Sequence, residues 1–281
     1  MVRWKKLGII AGGGALPARI AIACKARGDA FHIVRIAGSA DERLENFSGD
    51  VYAVGEIGKI LRSLKTQNCD AVVFAGNVRR PDFKSLKADW RGAALLPKAM
   101  TAAAKGDGAL LNLMVETFES EGLFVIGPEE ATRELTAQAG ALGECAPSEE
   151  DFFDIRKAAA VIQALGAFDI GQGAVVAKGH VLAVEAAEGT DAMLERCAGL
   201  PFGQDQRTGV LVKRPKPGQE LRIDLPAIGP ETVRRADRAG LSGIAVEAGV
   251  ALIIDHDEVK KLADAAGLFV YGFIDAEVRE L

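Results

Sequence analysis

The chain has 281 residues, of which 49% are hydrophobic and 26% are charged, and its formal net charge is −5. This composition is that of an ordinary globular protein, and the length suits two modest domains or one large domain. The negative net charge argues against nucleic acid as the main partner. No apolar run reaches the about 18 residues that a membrane-spanning helix needs, and the first residues lead directly into a strand. We therefore expect a cytoplasmic protein without a signal peptide.

The cysteines and histidines argue against a disulfide framework and against a zinc or redox site. The four cysteines are scattered, and no C-x-x-C pair occurs, which favours free thiols in a reducing compartment. The three histidines lack the spacing of metal ligands. These residues are Cys24, Cys69, Cys145, Cys197, His32, His180 and His256.

The segment Leu7–Pro17 predicts a buried strand, a tight turn of three glycines and the start of a helix that continues to Arg27. Glycines let a backbone approach a ligand closely, and the free N–H groups of a helix start favour an anion such as phosphate. A turn that binds nothing is the alternative, because short motifs of this kind often occur by chance. The candidate binding residues are Gly12, Gly13, Gly14, Leu16 and Pro17.

The same turn is a poor match for a nicotinamide site. The sixth position of the fingerprint G-x-G-x-x-G/A is occupied by Pro17, and the second predicted strand ends in Arg35-Ile36-Ala37 without the acid that holds a ribose. The turn therefore indicates a phosphate or nucleotide ligand other than NAD.

Apolar strands alternate with helical segments through the first half of the chain, which predicts an open parallel sheet. Ligands of such sheets bind beyond the carboxyl ends of the strands. This rule brings the loop after Ala71–Ala75 to the same edge as the glycine turn, so that Gly76, Asn77 and Arg80 become candidate contacts of a base, ribose or phosphate. The alternative for Arg80 is a solvated loop.

A long helix is predicted from Asp82 to Ala104, with a break at Pro97. The turn Lys105-Gly106-Asp107-Gly108 follows, and then an apolar helix from Ala109 to Glu121. This turn is a second candidate anion site, with Lys105 as a point charge and Asp107 beside it.

We place the domain boundary where periodicity is lost, between Gln138 and Ser148. The expected organisation is a Rossmann-like parallel-sheet domain over 1–137, a linker over 138–148 and a second α/β domain over 149–281.

In the second half we predict two strands, Gly173–Ala177 and Val181–Glu185. The segment Glu185–Asp191 then opens a helix with Thr190 as its predicted N-cap. Gly189 and Thr190 form a candidate phosphate cradle, and the acids Glu185, Glu188 and Asp191 cluster beside it. The alternative for the acids is a solvated turn with an aspartate that favours the helix dipole.

The segment Leu221–Pro226 alternates between apolar and polar residues, which predicts a strand after a type II turn over Lys216–Gln219. Leu221, Ile223 and Leu225 would then face inward, and Arg222 and Asp224 would share the opposite face. An aspartate at a strand end suits metal binding or water activation, although a solvated aspartate is the commoner case.

Seven motifs in order resemble the UDP-2,3-diacylglucosamine pyrophosphatases of the LpxI type, from lipid A biosynthesis. They are LGIIAGGGALP, GNVRRPD, KGDGALL, PSEEDFFDI, AVEAAEGTDAM, LVKRPKPGQELRIDLPAIGP and GIAVEAG. The resemblance covers nearly the whole chain. It implies hydrolysis of UDP-2,3-diacylglucosamine to UMP and 2,3-diacylglucosamine 1-phosphate with a divalent metal, usually Mg²⁺. It also implies a nucleotide-binding N-terminal domain, a C-terminal catalytic and lipid-binding domain of its own type, and an essential aspartate at Asp224.

The chemistry of a pyrophosphate fits these residues. Hydrolysis needs neutralised phosphate charge and an aimed water, and Mg²⁺ takes one or two carboxylates beside phosphate oxygens and waters. We expect the metal ligands among Asp224, Glu185, Glu188 and Asp191. We expect Lys213, Gln219 and the Gly189–Thr190 turn to hold substrate. Attack on either phosphorus gives the same products.

Two other classes of protein are weighed against this reading. A Rossmann-type oxidoreductase would show nicotinamide absorbance, and a non-catalytic nucleotide- or glycolipid-binding protein would bind without turnover. The sequence leaves open a peripheral contact with the inner membrane surface and assembly as a homodimer.

Overall fold

The computed structural model describes residues 4–78, 82–83, 85–202 and 206–278. Its elements divide between two units of chain. The first comprises the residues through Arg133 together with the short segment Glu220–Asp224, and the second comprises Glu134–Gln219 and Leu225–Leu281. The chain therefore passes from the second unit into the first at Glu220 and returns at Leu225. The domain boundaries given above stay a prediction from the sequence.

The first unit is built on a five-stranded sheet in the order β3-β2-β1-β4-β5, and all of its strand pairs are parallel. The parallel sheet predicted for the N-terminal half is confirmed. The central strand β1 is buried over its whole length because helices cover both faces, as is usual for parallel sheets. The strands are β1 (Leu7–Ala11), β2 (Phe31–Ile36), β3 (Gly49–Tyr52), β4 (Ala71–Ala75) and β5 (Phe124–Ile126).

Alternate residues of these strands pack against helices on opposite faces. Leu7 and Ile9 of β1 belong to the core beneath α1, whereas Ile10 belongs to the core beneath α2 and α4. Phe118 of α4 meets Phe74 of the sheet edge-to-face, with ring centroids 5.1 Å apart. The helices are α1 (Leu16–Arg27), α2 (Ile57–Thr66), α3 (Trp90–Lys105), α4 (Asp107–Glu119) and the short α5 (Pro128–Ala131).

The second unit contains a mixed six-stranded sheet in the order β6-β13-β11-β9-β7-β8 and a two-stranded parallel sheet of β10 and β12. In the larger sheet β9, β11 and β13 run parallel, and β6, β7 and β8 pair antiparallel. The strands are β6 (Gly140–Ala141), β7 (Gly173–Ala177), β8 (His180–Val184), β9 (Val210–Lys213), β10 (Ala227–Ile228), β11 (Gly243–Glu247), β12 (Leu252–Ile253) and β13 (Phe269–Phe273).

Helices cover both faces of this sheet as well. The first of them begins at a capping box, in which the Ser148 side chain and Asp151 exchange hydrogen bonds with each other's backbone N–H. The buried residues of this helix pack on one face of the sheet, and those of the next three helices pack on the other. The helices are α6 (Glu149–Leu165), α7 (Gly189–Ala198), α8 (Pro230–Arg238), α9 (His256–Ala266) and α10 (Asp275–Val278).

Two predicted elements are wrong. The helix predicted from Asp82 begins only at Trp90, where Asp89 caps it by accepting the Gly92 N–H at 2.9 Å, and Pro97 lies inside the helix without ending it. The strand predicted over 221–225 is absent from the described structure: Leu221–Ile223 form a turn, and Leu221 is exposed rather than inward.

None of the helices in the described ranges combines the length and the hydropathy that crossing a bilayer would require.

Candidate functional site

The glycine turn of the first unit is tied to the loop that follows β4. The Gly12 N–H donates to the Ala75 carbonyl at 2.8 Å, and the Gly13 N–H donates to the Asn77 carbonyl at 2.8 Å. The Asn77 N–H returns a bond of 3.0 Å to the Gly13 carbonyl. Two of the three glycine amides proposed for phosphate are therefore occupied by backbone pairing.

Close packing of the two loops explains the small residues. A Cβ atom on Gly12 would lie 2.6 Å from the Asn77 carbonyl oxygen, and one on Gly13 would lie 2.9 Å from the Ser39 carbonyl oxygen. A Cβ on Gly76 would lie 2.3 Å from the Gly13 carbonyl oxygen. These glycines are required by the packing of one loop on another, whether or not a ligand binds.

Gly14 differs from its two neighbours. Its φ is 87°, and a Cβ built on it would meet nothing within 4 Å among the described atoms. The helix α1 that follows receives no side-chain hydrogen bond at its N-cap Ala15, so its first N–H groups lack a partner within the helix. The surface open to an anion is thus reduced to Gly14 and the first turn of α1.

The other sequence-predicted residues of this edge have mixed outcomes. Pro17 is buried in the first turn of α1, and the Leu16 side chain is partly buried and packs against the core. Asn77 is exposed and remains a candidate contact. Arg80 lies outside the described residues.

Arg35, at the end of β2, is used within the fold. Its guanidinium donates to the Gly49 carbonyl at 3.2 Å, to the Leu44 carbonyl at 2.7 Å and to the Phe47 carbonyl. This cation therefore holds the β2–β3 connection in place.

The second candidate anion site of the first unit is a one-residue connection rather than a turn. Helix α3 ends at Lys105 and helix α4 begins at Asp107, with Gly106 between them at a φ of 134°. Lys105 and Asp107 are both exposed. The Asp107 carboxylate lies in the first turn of α4, where it already provides the negative charge that the helix dipole favours.

In the second unit, Lys213, Thr190 and Glu185 form a buried cluster. The Lys213 Nζ donates to the Thr190 Oγ1 at 2.7 Å, and this hydroxyl donates to the Glu185 Oε1 at 2.9 Å. The other carboxylate oxygen lies 3.7 Å from the Lys213 Nζ, too far for a hydrogen bond. Lys213 is 4% exposed and Glu185 is 8% exposed.

The hydroxyl of Thr190 thus connects an acid and a base inside the fold. The N-cap role predicted for Thr190 is wrong, since α7 begins at Gly189 and its N-cap residue is Glu188. Gly189 has a φ of 80° and open space around it.

The two remaining acids predicted as metal ligands each lie beside an arginine. The Glu188 Oε1 is 2.5 Å from an Arg196 nitrogen, and the Asp191 Oδ1 is 3.6 Å from the Arg235 Nε. Across the ranges that the structure describes, no group of three or more His, Cys, Asp or Glu side chains is arranged to hold a metal ion. Glu185, Glu188 and Asp191 thus each have a cationic neighbour, and their role as metal ligands stays a prediction.

Gln219 belongs to the predicted type II turn, which is confirmed by the 3.2 Å bond from its N–H to the Lys216 carbonyl and by a φ of 75° at Gly218. Its side-chain oxygen accepts the Lys216 N–H at 2.8 Å, and its side-chain nitrogen donates to Gln172 at 3.0 Å. The side chain thus fixes the turn from which the chain leaves the second unit.

Asp224 is the last residue of the segment that belongs to the first unit, and it is partly buried. Its N–H donates to the Glu220 carbonyl at 3.1 Å, and the Ile223 N–H donates to the same carbonyl at 3.3 Å. The Ile223 side chain packs against the core cluster that contains Val115 and Phe118 of α4.

Arg222, in the same segment, forms hydrogen bonds with two acids, one within the segment and one on α4. Its guanidinium donates to both carboxylate oxygens of Glu220, at 2.8 and 2.7 Å, and to Glu119 of α4 at 2.7 Å. The hydrogen bonds from Arg222 lower the pKa of Glu220. This arrangement carries Asp224 on a short, internally bonded turn against α4.

Two family models match the chain in consecutive stretches. The LpxI N-terminal domain matches residues 6–135, and the LpxI C-terminal domain matches residues 138–271. The chain belongs to the LpxI family. It is also 50% identical over 279 residues to the UDP-2,3-diacylglucosamine pyrophosphatase LpxI of Caulobacter vibrioides, a match that covers 98% of this chain and 99% of that protein. The family membership suggested by the sequence motifs is confirmed.

The two LpxI domain models and the packing of the chain assign Asp224 to different parts of the protein. Asp224 falls within the stretch matched by the C-terminal model, yet the segment that carries it packs with the first unit. Sequence reasoning missed Glu119, which lies 103 residues before its partner Arg222. No motif marks a single surface acid on a helix, so only the folded chain reveals it.

Proposed function

We propose that this chain hydrolyses the pyrophosphate bond of UDP-2,3-diacylglucosamine to give UMP and 2,3-diacylglucosamine 1-phosphate, a step of lipid A biosynthesis. The observation that carries the proposal is the 50% identity, over nearly the full length of both proteins, to an LpxI enzyme whose name states this substrate.

In the proposed mechanism Asp224 orients the attacking water and accepts its proton. The oxygen of water bonds to one phosphorus, the bridging P–O bond breaks, and UMP and the sugar phosphate separate. A positioned base contributes about 10²–10⁴-fold to such a step. Asp224 suits the role because its backbone is fixed by the bond to Glu220 and by the packing of Ile223.

The nucleotide is proposed to bind at the carboxyl edge of the first sheet. The uncapped N–H groups in the first turn of α1 and the open space at Gly14 suit phosphate oxygens, and the exposed Asn77 lies on the loop bonded to this turn. The side chains of Lys213 and Thr190 are engaged with Glu185, so we assign them to the framework of the second unit rather than to substrate.

A divalent cation, with Mg²⁺ as the first choice, is part of the proposal because the substrate carries negative charge on both phosphates. When bound, such a cation would neutralise that charge. Glu185 lies 3.7 Å from the Lys213 Nζ, and Glu188 and Asp191 lie beside Arg196 and Arg235, so these cations would compete with a metal for the three carboxylates. Asp224 is proposed as a ligand because of its assigned role in the reaction.

The experiment is incubation of the purified protein with UDP-2,3-diacylglucosamine and Mg²⁺, with UMP and the lipid phosphate quantified separately. We expect equal amounts of both products, and loss of turnover in Asp224→Ala and Asp224→Asn. Binding of the substrate without UMP release would support a non-catalytic binding protein instead. A parallel assay in a chelator, followed by return of Mg²⁺, tests the cation requirement by itself.

A further inference from the structure

The segment that carries Asp224 is anchored by the first unit, although both of its chain neighbours belong to the second. We propose that α4 is a positioning element for the reaction: Glu119, and the core cluster to which α4 contributes Val115 and Phe118, hold Arg222 and Ile223, and through them the Asp224 carboxylate. This inference rests on the proposed function, in which Asp224 handles the proton.

The segment Glu220–Asp224 is a closed turn with an apolar contact to the core of the first unit. Alternation of apolar and polar residues over Leu221–Leu225 is typical of a strand, but the segment forms a turn closed by two N–H groups on the Glu220 carbonyl. Only one of its apolar side chains, Ile223, packs against a core cluster of the first unit, whereas Leu221 is exposed. Ile223 therefore acts as the single apolar anchor of the turn.

The ion pairs of Arg222 join the segment to α4. Arg222 bonds to Glu220 within the segment and to Glu119 outside it, so the guanidinium joins the turn to the last residue of α4. The hydrogen bonds with Glu220 fix the orientation of the Arg222 side chain, independently of its bond to Glu119. An arginine that is already oriented loses less side-chain entropy when it binds a second acid.

The apolar contact of Ile223 restrains the segment more strongly than the ion pair between Arg222 and Glu119 does. The side chains of Arg222 and Glu119 are 37% and 42% exposed, so their pairing is weak by itself. Ile223 contributes the larger part because its contacts are apolar and partly buried. The two contacts together restrict Asp224 more than either does alone, since one fixes the position of the turn and the other fixes its rotation.

The test compares steady-state kinetics with amide hydrogen exchange in single variants of the full chain. Ile223→Ala should lower kcat about tenfold, the change that about 1.4 kcal/mol produces. Glu119→Lys should lower it about three- to fivefold, the upper range for an exposed pair. KM should stay within about twofold in both. The amides of Ile223 and Asp224 should exchange faster, because their bonds to the Glu220 carbonyl open more often.

Two variants serve as controls. Glu116→Lys makes the same charge change one turn earlier on α4, on the surface that α4 shares with α3, and should leave kcat and exchange unchanged. Ile223→Val keeps most of the apolar contact and should retain activity. If Ile223→Ala fails to fold, Glu119→Lys tests the proposal by itself, because it changes an exposed side chain.

Three results would overturn the proposal: full kcat in both Ile223→Ala and Glu119→Lys, an equal loss in Glu116→Lys, or reduced kcat with unchanged exchange in the segment. A wild-type protein that exchanges slowly in this segment but releases no UMP would refute the proposed function instead. The two failures are therefore distinguishable.

Discussion

Removal of one member of the buried Lys213–Glu185 pair should destabilise the second unit strongly. In Lys213→Met the Glu185 carboxylate stays buried, with 8% of its surface exposed, and loses its cation. Stranding one charge of a buried pair costs about 3–5 kcal/mol. Both side chains are nearly inaccessible, so solvent screening does not reduce this figure much.

The double variant Lys213→Met/Glu185→Gln should recover most of the loss. It removes both charges, and the new side-chain amide oxygen still accepts the hydroxyl of Thr190. Replacement of a complete buried pair is often neutral or stabilising. Arg196→Met is the matched control, because its pair with Glu188 is 55% and 31% exposed and should contribute about 0–1 kcal/mol.

Urea unfolding gives the measurement. With an m-value of about 2 kcal/mol per M, a loss of 3 kcal/mol moves the midpoint by about 1.5 M. Both tryptophans, Trp4 and Trp90, lie in the first unit. Their fluorescence should therefore report little change, while far-UV circular dichroism shows the early loss of the second unit. A midpoint of Lys213→Met equal to that of the wild type, combined with lost turnover, would refute the reasoning and return Lys213 to the substrate site.

Three further outcomes are expected. Gly14→Asn should fold normally, because asparagine tolerates positive φ, but its side chain should fill the open space at the turn and weaken the rise in melting temperature that UMP causes. Gly12→Ala should instead destabilise the fold, because its Cβ would clash with the Asn77 carbonyl. Equal UMP responses in Gly14→Asn and the wild type would contradict this site. Ellman's reagent should titrate Cys145 first in the native protein, since burial raises the pKa of Cys24, Cys197 and, to about 11, Cys69; a fast-reacting Cys69 would contradict it. Burial lowers the pKa of His32, so just below pH about 6.5 the unfolded chain binds more protons than the folded chain. The free energy of unfolding should therefore fall as the pH drops through this range. The fall should be smaller in His32→Gln, which lacks the titrating group.

The sequence predicts well those elements whose own residue pattern indicates which of their residues are buried. The sequence predicts a strand over Ala71–Ala75 and a helix over Glu149–Leu165, and both have these bounds, because a continuous apolar strand and a capped amphipathic helix need no information from distant residues. In α2 the spacing of Ile57, Ile60, Leu61 and Leu64 predicts one apolar face, and all four residues are buried.

The failures occur where a distant partner decides the structure. Leu221–Leu225 has the alternation of a strand, but Ile223 packs against a core cluster whose members lie about a hundred positions or more earlier. Its arginine, Arg222, binds Glu119 at the end of α4. Thr190 has the identity of an N-cap, but Glu185 and Lys213 use its hydroxyl. A local pattern predicts only what local contacts decide.

The glycine turn shows how one motif can serve two purposes. Gly12 and Gly13 are required by the loop packed on them, and a ligand has no part in that requirement. Gly14 is different: its positive φ of 87° favours a glycine, but a Cβ there would meet nothing within 4 Å among the described atoms. The amide donors left beside it are those at the start of α1, where a phosphate would be favoured. The structure therefore narrows the nucleotide hypothesis from three glycines to one, and a substitution at Gly14 tests it without disturbing the core.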